Sequence, residues 1–156
     1  MNLNPVAQSM KNLGIKAEEV GSQSLFCYST PSALALTVSG GATPSATSVI
    51  QIQADSFFEL QRLSGLVFVT GTPNTAITFP PVLLQIADTA SGANLFDTAV
   101  PLGAVAYLGA GFGPFPVQSP RFFAPNSTVT LTLTNLSDTA AYTVRVNLQG
   151  RKLFRK

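Results

Sequence analysis

Between Ser127 and Asn135 the chain reads "STVTLTLTN", with Val129, Leu131 and Leu133 alternating strictly with Thr128, Thr130, Thr132 and Thr134. A few residues on, "YTVRVNLQ" alternates Tyr142, Val144, Val146 and Leu148 with Thr143, Arg145, Asn147 and Gln149. A period of two with a β-branched or polar second face is the pattern of a half-buried antiparallel strand. The intervening "NLSDTAA" holds Asn, Ser and Asp, residues suited to a hairpin loop. The pattern therefore predicts two strands, near 127–135 and 141–149, adjacent and antiparallel.

Earlier segments follow the same rule. "ALALTV" puts Leu34, Leu36 and Val38 on one face, and "SVIQIQA" turns Ile50 and Ile52 inward with Gln51 and Gln53 outward. "VLLQIAD" adds Val82, Leu84 and Ile86. "FFELQRL" and "GLVFVT" read as one long strand broken at Ser64–Gly65, where glycine predicts a bulge or corner. Turn formers fill the gaps, in "SGGATPSAT", "TGTPNTA" and "ADTASGAN". About seven or eight short strands without an intervening helical pattern predict an all-β protein, an antiparallel β-sandwich with the jelly roll as candidate topology. Helical spacing occurs only near the start, at Val6, Met10 and Leu13, and Gly14 interrupts it. The expected organisation is an N-terminal arm or short helix over 1–24, a sandwich domain over 25–150 and a basic C-terminal tail over 151–156.

Composition changes this picture in one respect. Charged residues make up 10% of the 156-residue chain, against roughly 25% in an ordinary soluble domain. Thr, Ser, Ala, Asn and Gln take their place, leaving a surface with little charge to repel close neighbours. The net charge of +2 is too small to imply direct nucleic-acid binding. Four of the nine basic residues fall in the last six, "RKLFRK", which reads either as a solvated tail or as a docking point for an acidic partner. No apolar block is long enough for a secretory signal or a membrane span. The single Cys27, in "LFCYST", has no internal disulfide partner and is expected to be a small buried side chain.

The residues for common chemistry are missing. Without histidine the usual general base, the usual zinc ligand and the serine–histidine triad are all excluded. Asp55 and Glu59, if both on one strand, would share a face roughly 13 Å apart, too far for a retaining glycosidase pair. Asp88 sits in a turn, where its expected role is to bind nearby backbone amides. Three glycines in "GAGFGPFPVQSPRFFAP" suggest a phosphate loop, but Gly109, Gly111 and Gly113 lack the G-x-G-x-x-G spacing, and Pro114 and Pro116 forbid a following helix. The prolines predict an extended, stiff connector. Phe122 and Phe123, leading into a strand, are expected in the chain's own core; for Phe112 and Phe115 its own core and a neighbouring subunit stay equally open. The expectation is a non-enzymatic protein with no cofactor and no metal site.

From "QIQADSFFELQRLSG" onward the chain resembles small virion structural proteins of tailed bacteriophages. The shared order runs from an A-D-x-F-F-E-L strand through an I-x-D-x-x-S-G-x-x-L-F turn to a G-x-G followed by Phe and Pro. "PRFFAPNST", an alternating strand with "LTNLS", and a late L-x-G-x-K come after. In proteins of this kind the last motif often carries an aromatic after its glycine, where this chain has Arg151. The resemblance, over roughly two-thirds of the chain, implies a β-sandwich virion component of the capsid decoration (cement) type. Such proteins sit on the phage head surface after assembly in the host cytoplasm and bridge the major capsid protein or other virion proteins as dimers or trimers. A neck, collar or tail component is the nearest alternative. A carbohydrate- or receptor-binding sandwich is a more distant one, disfavoured by the absence of tryptophan. Contact residues expected on this reading are Val6, Met10 and Leu13 on the arm, Phe112 and Phe115 on the connector, and Arg151 and Lys152 on the tail. The arm is expected to order against a neighbouring chain.

Overall fold

The computed structural model describes residues 20–37, 44–72, 79–108 and 115–155. The elements are β1 (Val20–Ser29), β2 (Leu34–Leu36), β3 (Ser45–Gln51), β4 (Ser56–Val69), β5 (Val82–Asp88), β6 (Val100–Pro101), one helical turn α1 (Leu102–Val105), β7 (Tyr107–Leu108), β8 (Phe115–Phe123), β9 (Thr128–Asn135) and β10 (Tyr142–Arg155). They form two antiparallel sheets. The first runs β1-β10-β4-β7, with β2 also on β10 and β8 on β4; the second runs β3-β9-β5-β6. The two-residue pairing of β4 with β7 is parallel. An all-β sandwich is the result, as the alternation predicts.

Its core is where the alternating positions of the two sheets meet. Ile50, Ile52, Val82, Leu84, Ile86, Val129, Leu131 and Leu133 face Leu34, Leu36, Phe58, Leu60, Leu63, Val67, Tyr142, Val144, Val146 and Leu148. Leu102 of α1 and Ala106 close one side of this cluster. Every inward position assigned above from period two and described here is buried; Val38 lies outside the described residues.

The expected hairpin of β9 and β10 does not exist. β9 pairs with β3 and β5, whereas β10 pairs with β1, β2 and β4, so the two strands lie in opposite sheets. Alternation reports that one face is buried, not which strand lies alongside. The link between them is a corner that crosses from one sheet to the other, organised by the buried Asn135. Its Nδ2 donates to the carbonyls of Thr37 at 2.8 Å and Ala140 at 2.9 Å, while its Oδ1 accepts the Ser137 amide at 2.9 Å. These bonds satisfy backbone groups that neither sheet reaches.

β4 is also corrected. It runs unbroken through Ser64 and Gly65, opposite Asn147 and Val146. The register slips instead at Gln61, which is extra between Leu60, opposite Gly150, and Arg62, opposite Gln149. That bulge lets Phe58 and Leu60 share the core face with Leu63 and Val67 although strict alternation would separate them. Gly150 makes the close approach possible, because a Cβ there would collide with the carbonyl oxygen of Glu59.

The expected arm and tail boundaries shift as well. β1 begins at Val20, and β10 continues to Arg155 through the basic segment, pairing Arg151 with Glu59 and Lys152 with Phe58. The segment is a strand because partners on both sides, β1 and β4, complete its ladder. The expected helix over Val6, Met10 and Leu13 lies outside the described residues.

Candidate interaction surface

The row across the outer face of the first sheet is Leu25 on β1, Arg151 on β10, Glu59 on β4 and Phe122 on β8. Glu59 is 1% exposed. The guanidinium of Arg151 donates to its Oε2 through Nε at 2.9 Å and Nη2 at 2.8 Å, and Nη1 reaches the Gln23 side-chain oxygen at 3.1 Å. Its other oxygen, Oε1, is buried without a hydrogen-bond partner. Beside this pair Phe57, Phe122 and Leu153 form a small second hydrophobic cluster, separate from the sandwich core.

Lys152 points the other way, into the end of the core. Its ammonium lies 4.3 Å from the centre of the Phe26 ring, donates to Gln53 Oε1 and sits 3.6 Å from Asp55 Oδ1. The aromatic run continues inward from Phe26 to Tyr28 and Phe58, each step 4.8 Å between ring centres, and on to Phe123 at 6.4 Å. Burial pushes the Tyr28 phenol up, the Gln53 amide donating to its oxygen opposes this, and Asp55 reinforces it. Asp55 precedes β4 and is exposed, so it does not share a strand face with Glu59 as the four-residue spacing suggested. The two carboxylates serve two different cations instead.

The remaining contact candidates divide simply. Val6, Met10, Leu13 and Phe112 lie outside the described residues. Phe115 begins β8, with its backbone opposite Leu63. From Phe115 to Phe123 the proline-rich connector is therefore a strand on the flank of β4, where four residues, Val117–Pro120, oppose the single Gln61. Pro116 and Pro120 are tolerated there because a bulge at the end of a sheet needs no complete ladder. Phe122 and Phe123 are buried within the chain, as expected. Asp88 holds the amide of Ala90 at 3.0 Å and the Ser91 hydroxyl at 2.7 Å, the turn role expected of it.

Cys27 is exposed, contrary to expectation. It shares the outward register of β1 with Gln23, Leu25 and Ser29, while Tyr28 and Thr30 turn inward. The apolar "LFCY" around it conceals which alternate residues are outside. The same concealment hides Leu25, whose side chain is 84% exposed. Phe79 is equally exposed, and Val49, Leu66 and Leu136 are exposed to lesser degrees. Leu25 forms part of the rim of an open hollow of about 520 Å³, lined further by Phe26, Cys27, Gln61, Arg62, Gln149 and Gly150.

Among the described residues no cluster of His, Cys, Asp and Glu is placed to hold a metal ion, and no helix is long and apolar enough to cross a membrane. No family model and no curated protein matches this chain.

Proposed function

We propose that the chain is a non-enzymatic structural protein of a bacteriophage particle, a capsid decoration protein that bridges neighbouring subunits on the outside of the head. The observation that carries this reading is the character of its surface. On a body with 10% charged residues, large apolar side chains such as Leu25 and Phe79 stand 84% exposed. Such side chains are costly to leave in water and favourable to cover, and a weakly charged rim adds little desolvation cost when they are covered. The ordered phage-like motifs support the same reading. "ADSFFEL" supplies the start of β4, "PRFFAP" the end of β8 and "LTNLS" the corner at Asn135.

Sugar binding is the weaker reading, because Tyr28 and Tyr142 are buried and offer no ring to a sugar. The test is to add the purified chain to phage heads that lack it. Saturable attachment and greater resistance of the heads to heat are expected. Attachment only to neck or tail assemblies would move the chain elsewhere on the particle. Failure to bind any virion component, together with binding on a glycan array, would replace the structural reading.

A further inference from the structure

β1 is an edge strand: it pairs with β10 on one side and with no other strand among the described residues. From Gln23 to Ser29 it matches β10 residue for residue, Leu153 to Asn147, without a bulge. Alternate amides and carbonyls along such an edge point away from the sheet and seek partners. Natural edges are usually protected by lysine, proline or a bulge. Here "QSLFCYS" contains no charge and no proline, and the strand's one irregularity lies before it, between Val20 and Gln23. The centre of the stretch carries the most exposed class of apolar side chain, Leu25, on the rim of the hollow at Cys27, Arg62 and Gln149.

We propose that β1 pairs edge to edge with β1 of a second copy of this chain, antiparallel about a two-fold axis, so that the two sheets become one. The register that fits places Phe26 opposite itself and Leu25 opposite Cys27 of the second copy. Directly opposed residues in an antiparallel pair point to the same face, so each Leu25 then lies at the mouth of the other chain's hollow. Knob and hollow occur on one strand and one face, which makes the surface self-complementary. A two-fold is the arrangement that places a leucine at both hollows at once. Charge permits it, because the paired stretch is neutral and the nearby Arg151 is already engaged by Glu59 and Gln23.

The pairing deepens the structural reading above, on which it rests for its use, since a joined pair offers two attachment faces to a shell. It is tested on purified full-length protein without particles. Sedimentation at up to about 0.1 mM should show a reversible dimer, the range suited to an interface at the small end of the stable class. Leu25→Lys should weaken it at least about tenfold while leaving the circular dichroism, and the melting temperature measured at dilutions where both chains are monomeric, unchanged, because an edge lysine is a standard barrier to strand pairing. Oxidised Leu25→Cys should form a disulfide-linked dimer through Cys27 of the second copy, directly opposed residues being within disulfide reach. Leu25→Cys combined with Cys27→Ser should not, since the two introduced thiols then sit diagonally apart. A wild-type chain that is monomeric throughout, or an oligomer indifferent to Leu25→Lys, overturns the pairing. A monomer that still decorates heads would leave the virion reading intact and remove only this inference.

Discussion

β9 and the end of β10 are close in sequence and opposite in construction. β9 buries one face, Val129, Leu131 and Leu133, and leaves its threonines half exposed. The end of β10 is buried on both faces, with Lys152 on the core side and Leu153 on the other. A strand with one wet face must alternate in composition, and that alternation is visible in the sequence. A strand covered on both faces is free of that rule, and its charges are held by partners: Arg151 by Glu59, Lys152 by Asp55, Gln53 and the Phe26 ring. "RKLFR" has the composition of a tail and the structure of an interior strand.

The largest effect should come from the one-sided strand. Leu131→Ala should cost about 2–5 kcal/mol in denaturant unfolding, because a fully buried leucine loses both transfer energy and packing. Thr130→Ala on the outward face should stay within about 0.5 kcal/mol. Similar costs at the two sites would contradict one-sided burial.

Gly150→Ala probes the point where β10 passes the bulge at Gln61. The added methyl meets the backbone of Glu59 rather than a movable side chain, so a cost of about 1–3 kcal/mol or more is expected. A neutral result would mean the strands approach less closely there.

Arg151→Ala leaves Glu59 buried without its cation. Fully buried pairs lose about 3–5 kcal/mol on such a change, but 34% of the Arg151 side chain is exposed, so about 1–3 kcal/mol is the expected loss. Adding Glu59→Gln should recover part of it by removing the stranded charge. If the double variant is no better than the single one, the pair is not what holds that end of the strand.

The smallest effect is alkaline. The folded-state pKa of Tyr28 is raised above its ordinary value of 10.0. Its contribution to stability is therefore intact below that value and is lost as pH rises through the folded value. Melting temperature should fall more steeply above about pH 10 in the wild type than in Tyr28→Phe; parallel curves would assign the loss to other groups.

Most of the fold was legible because most strands have one wet face. Ile50, Ile52, Val82, Leu84 and Ile86 needed nothing beyond period two. Strand partnership was not, since "STVTLTLTN" and "YTVRVNLQ" carry the same pattern in different sheets and the deciding contact, that of Asn135 with Thr37, joins distant parts of the chain. The bulge was misplaced because glycine at Gly65 is a louder signal than Gln61, whose position follows from Gly150 on another strand. Which apolar side chains stand outside was not legible in the composition. Low charge points only to a surface with little repulsion against neighbours, but Leu25 looked like core among "LFCY", and only the register against β10 turns it outward.

A cryo-electron microscopy map of the intact particle would show whether this sandwich covers the outside of a phage head, as proposed. Two-sheet density of this chain is expected on the outer head surface, at junctions between capsid subunits. Density for the chain in the neck or tail instead, or none on the particle at all, would contradict the proposal.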